Sequence, residues 1–403
     1  MTPQSAPATS ATTLWRGRTA RTLTNGLVEA TLLPGGGHLA AWRFVVGNGP
    51  ANNNVLWESP WATADPCTPQ HKSFASLYGA EGVGEFLASF TGHALCLDGF
   101  GPPSKIELLG GAALHGEAAT SMWHITSDGD NFDANSTEAN RHALSWVELP
   151  LSRLRVERRF ELAPAESVLR VDERVTNLDK VSRNLHWVQH ATVSSTPKGR
   201  ISASLRDGIT APFDYDGHNL LARGAEFQWP HAPGTQGEQI DLRKLFSTPQ
   251  RGFVAVAHQA PHREHGFVAM CDPSAQLMMG YVFSAKIFPW IASWEENLAR
   301  ESAPWLGRVQ ARGLEFGTTP FPLGNDAVDA GGPVLGHPVS RSISAGQTLR
   351  APWLLFIAPL PDGWGDIEDI RVDTDEIVIT NSETQIRLRA QGAAAFLGAR
   401  ENG

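Results

Sequence analysis

Two histidines and one glutamate lie in short segments where their side chains could transfer protons. His115 lies in the segment ALHGEA, His190 closes the alternating run LHWVQH, and Glu315 lies in RGLEFGT. Histidine and glutamate have ordinary pKa values of about 6.5 and 4.3, so both can act as general acid or base near neutral pH. Separately each signal is weak. A histidine beside glycine is often bonded to local backbone, and one at the end of a strand is often a satisfied interior residue.

The alternation around Glu315 is more informative than its residue type. In a strand, Leu314 and Phe316 share one face and Glu315 takes the other. The glutamate therefore either meets solvent or lines an enclosed polar cleft.

The order of these segments resembles the galactose mutarotase (aldose 1-epimerase) superfamily. Leu-His-Gly at 114–116 is followed by Val-Thr-Asn at 175–177, then by Gln-His at 189–190, and then by Arg-Gly-Leu-Glu at 312–315 before a proline loop. The strand and Pro/Gly turn at 28–38 and the segment ISAGQTL at 343–349 extend the resemblance over roughly residues 22–360. It implies an all-β fold, a large antiparallel β-sandwich with few short helices.

The resemblance also implies an aldose 1-epimerase-like enzyme that interconverts sugar anomers. Opening the sugar ring removes a proton from the C1 hydroxyl and adds one to the ring oxygen. By resemblance Glu315 is the base at the C1 hydroxyl, His190 is the acid at the ring oxygen, and His115 binds the ring oxygen or a neighbouring hydroxyl. Such chemistry requires neither a metal nor an organic cofactor.

Two departures from the family pattern concern substrate binding. The family places an arginine upstream of the His-Gly segment, whereas residues 74–103 contain no arginine. Glu81, Glu85 and Asp98 are candidates for binding hydroxyls instead, although acidic loop residues are often merely solvated. Gln189 replaces the usual asparagine beside the second histidine and is a further substrate-binding candidate.

A third group of binding candidates lies in the segment FSAKIFPWIASWEE at 283–296. Trp290 and Trp294 could stack on the C–H faces of a sugar ring, and Lys286 could bind hydroxyl or anionic groups. A core tryptophan pair and a surface lysine explain the same residues equally well.

Alternating strands must position these side chains, because period-2 patterns dominate and long helical patterns are scarce. The clearest strands are predicted at Leu27–Leu33, Arg153–Leu162, Ser167–Thr176, Phe253–His258 and Leu277–Phe283. Ala-Pro-Ala-Glu at 163–166 predicts a hairpin turn between the second and third of these. Their alternating charges predict one solvated face and one core face. Irregular stretches at Pro60–His71, Gly99–Lys105 and Asn325–His337 are candidate loops over a cleft.

Composition limits the remaining possibilities. With 41% hydrophobic and 19% charged residues, the chain can form a sizeable core. We expect a flexible tail over residues 1–20 and a single domain over residues 21–403. The net charge of −9, without a basic stripe, argues against nucleic acid. No apolar stretch reaches the length of a membrane span, and the N-terminus lacks the pattern of a signal peptide, so we expect a cytoplasmic protein. Three widely spaced cysteines indicate neither disulfides nor a metal site.

The expected partner is a small-molecule sugar, a hexose or its derivative, bound by a monomer or homodimer. A non-catalytic or regulatory sugar-binding protein on the same fold is the main alternative, since fold does not fix function. A polysaccharide lyase or glycosidase ranks last. Those enzymes need a Tyr or Arg near the cleft or paired carboxylates, and the chain has only three tyrosines.

Overall fold

The computed structural model describes residues 13–398, except 46, 48–53, 81, 127–138, 195, 214–219 and 259–262. The first half of the chain forms β1 Thr13–Trp15, β2 Arg18–Thr24, β3 Val28–Leu33, β4 His38–Phe44, β5 His93–Cys96, β6 His124–Thr126, β7 His142–Leu149, β8 Leu154–Leu162, β9 Val168–Asn177, β10 Arg183–Leu185, β11 Val188–Ser194, β12 Arg200–Ala203 and β13 Leu205–Thr210. The second half forms β14 Glu226–Gln228, β15 His231–Pro233, β16 Gln239–Asp241, β17 Gln250–His258, β18 His265–Asp272, β19 Leu277–Ser284, β20 Trp290–Asn297, β21 Gln310–Gly317, β22 Arg341–Ile343, β23 Thr348–Pro359, β24 Asp369–Val372, β25 Glu376–Thr380 and β26 Gln385–Arg389.

Helices are short and lie between strands. They are α1 Pro69–Tyr78, α2 Val83–Leu87, α3 Lys105–Leu109, α4 Asn325–Gly331 and α5 Ala393–Gly398. Helix α1 begins at Thr68, whose hydroxyl accepts a hydrogen bond from the His71 amide, with Pro69 in the first turn. All three predicted loops therefore overlap a helix, since His71 lies in α1, Lys105 begins α3 and Asn325 begins α4.

Two large antiparallel sheets form the sandwich that the sequence predicts. The first has thirteen strands in the order β1-β2-β3-β4-β5-β11-β21-β20-β17-β13-β14-β15-β16. The second has eight, in the order β12-β18-β19-β23-β9-β8-β7-β6. All five predicted strands are present within a few residues of their predicted ends, and β8 pairs with β9 across the predicted hairpin turn.

The main core lies between the two large sheets and follows the strand alternation. Leu314 and Phe316 of β21 point into it, where the Phe316 ring stacks on Phe283 of β19 with centroids 4.1 Å apart. The opposite face of the first sheet carries a second apolar cluster, which contains Trp57, Phe90 and Trp294. The cavity described below opens on that face.

A third layer covers the outer face of the eight-stranded sheet. Strands β24, β25 and β26 form a small sheet that packs, together with α5, on residues such as Phe267 and Phe356. This layer corrects one expectation for the β8–β9 ribbon. Its charged face is only partly solvated, because Arg170 is 4% exposed and bonds to Glu166 and the Gln391 carbonyl.

The N-terminal boundary also differs from the expectation. Strands β1 and β2 pair from Thr13 onward, so the predicted tail over residues 1–20 extends too far. Arg18 is 1% exposed and its guanidinium bonds to Asp65 and to the carbonyls of Ser89 and Gly35. Residues 1–12 lie outside the described part of the chain.

Within the described ranges, none of the helices has the length and apolar character required to span a bilayer.

Candidate active site

Adjacent strands β11 and β21 bring His190 and Glu315 together. The registered pairs Gln189–Phe316 and Thr192–Gly313 place the histidine directly across from the glutamate. Their side chains meet, with His190 Nε2 3.1 Å from Glu315 Oε1. Glycine at 313 makes room for this contact, because a Cβ atom there would lie 2.4 Å from Glu315 Oε1.

Glu315 lies on the face that alternation predicts. Its burial shows that it lines a cleft and does not point into bulk solvent. Leu314 and Phe316 are fully buried between the sheets, while Glu315 points to the other side of the first sheet and is only 1% exposed. His190 is 6% exposed. The pair therefore lines an enclosed site.

His115 reaches the same site from the loop between α3 and a short 3-10 turn at Ala118–Thr120. It has a φ of 62°, and the following Gly116 has a φ of 79°, so two successive residues adopt the left-handed region. A Cβ atom on Gly116 would also lie 2.5 Å from the Leu97 carbonyl oxygen, which makes glycine necessary there. The His115 ring lies 4.8 Å from the His190 ring, nearly perpendicular to it.

Backbone hydrogen bonds fix the orientation of the His115 ring. The His115 amide donates to the Gly101 carbonyl at 3.0 Å, and the Gly101 amide donates to His115 Nδ1 at 3.0 Å. Because Nδ1 accepts, we assign the proton of the neutral ring to Nε2, which is then a hydrogen-bond donor.

Burial shifts all three groups toward their uncharged forms. It raises the pKa of the Glu315 carboxyl well above its usual range and lowers the pKa of His190 to about 4. For His115, burial followed by the charges of His190 and Arg300 holds the pKa well below its usual value. Burial thus favours the uncharged form of all three groups.

The three residues line a cavity of about 680 Å³. Its described walls are rich in aromatic rings, namely Tyr78, Phe86, Phe90, Phe100, Phe213, Phe253, Trp294 and Trp305. Residues Phe100, Gly101 and Pro102 contribute to the wall, so the predicted loop at 99–105 does border a cleft.

Two arginines that the sequence analysis did not single out also line this cavity. Arg251 on β17 lies across from Glu296 on β20, and the two side chains approach to 3.7 Å. Arg300, just beyond β20, lies 3.5 Å from the same Glu296 carboxylate and 4.6 Å from the centre of the Trp305 ring. Guanidinium groups are thus present in the cavity although residues 74–103 lack arginine.

Of the predicted binding residues on β20 and the preceding turn, Trp294 alone is part of the described cavity wall. Trp290 is fully buried at the start of β20, where its indole donates to the Pro338 carbonyl at 2.8 Å. Lys286 is exposed in the turn after β19, outside this wall.

The two predicted acidic residues that the structure describes, Asp98 and Glu85, bind backbone amides and do not line this cavity. Asp98 is buried, accepts from the His186 amide at 2.8 Å and pairs with Arg183, and it borders a smaller, separate cavity of about 230 Å³. Glu85 accepts from the Gly82 amide at the start of α2 at 2.7 Å. Glu81 lies outside the described residues.

Gln189 neighbours His190 in sequence but lies on the opposite face of β11. Its side-chain oxygen is 3.0 Å from His93 Nε2 and accepts from Arg158, while its amide nitrogen donates to Glu173 at 2.6 Å. These groups form a polar cluster inside the main core, which we call the interior cluster (His93, Arg158, Glu173, Gln189 and Tyr281). Gln189 therefore does not belong to the cavity wall.

The architecture is the galactose mutarotase-like β-sandwich, and the fold expected from the sequence is confirmed. Structures named "putative aldose 1-epimerase" share it. The one from Klebsiella pneumoniae has 13% identity and a TM-score of 0.58, covering 85% of this chain and 79% of that one. The one from Escherichia coli K12 has 14% identity and a TM-score of 0.55, covering 85% and 99%.

A galactose mutarotase-like protein from Clostridium acetobutylicum is also similar, with 15% identity and a TM-score of 0.51 over 86% of this chain and 97% of that one. No family model and no curated protein sequence matches the chain. At identities this low, the structural similarity establishes a shared fold alone. The activity must be argued from the site itself.

Proposed function

We propose that this protein is an aldose 1-epimerase-like enzyme that interconverts the anomers of a sugar by proton transfer through His190 and Glu315. The observation that supports it is the 3.1 Å contact between these two groups at the wall of the cavity, with His115 beside them. A paired acid and base is what opening a sugar ring requires.

The reaction moves two protons and one electron pair. One group of the site takes the proton of the C1 hydroxyl, the C1–O bond to the ring oxygen breaks with its electrons going to that oxygen, and a second group protonates it. Rotation about the bond from C1 to C2 and the reverse steps then give the other anomer. No net oxidation occurs and no group leaves.

The pair needs a single proton in order to serve both roles. In the uncharged arrangement, which burial favours, protonated Glu315 is the acid and neutral His190 is the base. In the charged arrangement, the roles are those implied by the family resemblance, with Glu315 as base. The two arrangements differ only by a proton moved across the 3.1 Å contact, so ring opening and closure can use both.

Other cavity residues are suited to hold the sugar. His115 Nε2 donates a hydrogen bond to the ring oxygen or a hydroxyl, and Arg300 supplies further donors to hydroxyls. Trp294 and Trp305 offer flat apolar faces for the C–H side of the ring. Arg300 thus takes the substrate-binding role of the arginine that is missing upstream of His115.

The test is anomer exchange measured by NMR on D-glucose and D-galactose, with wild type and Glu315→Gln. We expect the variant to lose about 10²–10⁴-fold in kcat, because glutamine keeps the shape of the side chain but cannot carry the proton. Glu376→Gln, at an exposed position on β25, is the matched control and should exchange at the wild-type rate.

Equal rates for wild type and Glu315→Gln would overturn the proposal. Thermal stabilisation by a sugar without faster exchange would instead favour the alternative, a non-catalytic sugar-binding protein.

A further inference from the structure

The cavity is larger than one sugar ring needs. At about 30 Å³ per water, its 680 Å³ would hold roughly twenty water molecules. A hexose has about a dozen non-hydrogen atoms, each smaller than a water's share, so it fills about half of this volume or less. The remainder must hold either water or another part of the ligand.

Although Arg251 and Arg300 also line the cavity, one side of its wall argues against ordered water in that remainder. One side of the cavity is a run of phenylalanines: Phe100 lies 5.8 Å from the His115 ring and 6.2 Å from Phe253, which lies 6.1 Å from Phe213. We call these three residues the phenylalanine wall. Phenyl side chains offer water no strong hydrogen bond, and buried water typically needs two to four polar partners.

Sheet register shows that Phe253 of the phenylalanine wall is displaced along and across the sheet from Glu315. Glu315 lies across from Ala292, and two residues farther along the strands Gly313, Trp294 and Phe253 lie side by side. A shift of two residues corresponds to about 6.6 Å along a strand. Phe253, on β17, also lies two strands across the sheet from Glu315, about 9.6 Å, so it can contact the far side of a sugar whose C1 is at Glu315.

A sugar hydroxyl is a poor match for this neighbour. A hydroxyl buried without a hydrogen-bond partner weakens binding, whereas an apolar group buried there strengthens it. The C1 hydroxyl must stay free for the reaction, so an apolar group has to be attached elsewhere on the sugar.

We infer that the natural substrate is a reducing sugar bearing an apolar, aryl or alkyl, substituent away from C1, with its ring at His190 and Glu315 and its substituent against the phenylalanine wall. This inference rests on the proposed function. It specifies the substrate class that the same site selects.

Anomer exchange of D-glucose, 6-O-benzyl-D-glucose and 4-O-benzyl-D-glucose tests it directly. We expect at least one benzyl ether to exceed D-glucose in kcat/KM by about tenfold or more, the usual scale for filling a hydrophobic pocket. Phe213→Ala, a truncation of the half-buried member of the wall, should remove most of this preference, measured as the ratio of kcat/KM for the benzyl ether to kcat/KM for D-glucose. Phe396→Ala, the same truncation at a half-buried site on α5, should leave the preference intact.

Equal kcat/KM values for D-glucose and both ethers would overturn the inference and leave the proposed function standing. If no sugar exchanges faster than in buffer, the proposed function fails, and calorimetry with ring-locked 1,5-anhydro-D-glucitol and its two benzyl ethers decides the inference separately. Tighter binding of an ether by tenfold or more supports the apolar subsite, while equal affinities for all three overturn it.

Discussion

The two faces of strand β11 carry polar clusters of similar composition and different character. Toward the core, Gln189 joins the interior cluster, in which Arg158 pairs with Glu173 and His93 bonds to Gln189 and Tyr281. Toward the cavity, His190 contacts Glu315 and His115 next to open volume. Each cluster contains a buried histidine and a buried glutamate, so burial and residue type alone do not separate a structural cluster from a functional one.

What separates them is how the charges are compensated. Glu173 receives hydrogen bonds from Arg158, Trp187 and Gln189, so its carboxylate is matched by donors. For Glu315, burial is the cause of its raised pKa, and its neighbour His190 is itself shifted toward the neutral form. The interior cluster is built to hold a fixed charge pair, whereas the cavity pair is suited to exchange a proton.

Glu173→Ala breaks the interior cluster and should have the largest effect on stability. It leaves the buried Arg158 charge without its carboxylate, which typically costs about 3–5 kcal/mol. The free energy of unfolding, measured by urea denaturation, should fall by this amount.

The matched control is Glu148→Ala on β7, which removes an exposed partner of Arg155 and should cost about 1 kcal/mol or less. Equal stability of the two variants would show that the Arg158–Glu173 pair of the interior cluster does not stabilise the fold.

Glu315→Gln tests the cavity pair through the pH dependence of the free energy of unfolding. Burial raises the pKa of folded Glu315 above its ordinary value of 4.5, so the folded chain keeps a proton that the unfolded chain releases. Wild type therefore loses stability as pH rises above 4.5, at up to about 1.4 kcal/mol per pH unit, until the folded-state pKa is reached. Glutamine does not titrate, so the stability of the variant relative to wild type should increase as pH rises between the unfolded-state and folded-state pKa values of Glu315.

Urea denaturation of both proteins from about pH 5 to about pH 8 measures this difference. Glu376→Gln controls for the loss of one carboxyl group at an exposed site. A stability difference between wild type and Glu315→Gln that stayed constant with pH would mean that Glu315 is ionised in the folded protein.

Thr192→Val should have the smallest of these effects. The threonine hydroxyl lies 3.2 Å from His190 Nδ1 and helps to hold the ring toward Glu315. Losing one hydrogen bond of about 1 kcal/mol should lower kcat about fivefold while leaving KM nearly unchanged.

Exchange kinetics check this prediction, with Thr380→Val as the control, since that substitution removes a comparable hydrogen bond to the Asp369 carbonyl on the small C-terminal sheet. Identical rates for all three proteins would show that the Thr192 hydroxyl does not position His190.

Strand alternation predicted much of this arrangement because it is a local property. It gives the β8–β9 hairpin and the outward direction of Glu315 from a few residues each. The substrate-binding role predicted for Gln189 was wrong, and alternation applied to residues 189 and 190 would have argued against it, since neighbouring residues of a strand face opposite ways.

Position along a strand is not a local property, and the remaining errors follow from that. Trp290 and Trp294 share a face, but only long-range pairing sets Trp294 beside Phe253 and puts Trp290 under Pro338. Arg251 reaches the cavity through the pairing of β17 with β20, which joins segments about 40 residues apart in sequence, whereas Arg300 lies in the connection between β20 and β21. The pairing of Arg158 with Glu173 belongs to the predicted β8–β9 hairpin, but the hydrogen bonds that Glu173 accepts from Trp187 and Gln189 come from outside that hairpin and do not follow from local sequence.

The alternation of β11 has a practical consequence for laboratory evolution of this protein. Randomising positions 188, 190 and 192 samples the face toward the cavity, where His190 lines the cavity, Thr192 contacts its ring and Val188 packs in the second apolar cluster, so the resulting library varies the site. Randomising 189, 191 and 193 samples the core face and mainly selects for chains that still fold. A single seven-residue strand therefore offers two separable libraries, distinguished by odd and even positions.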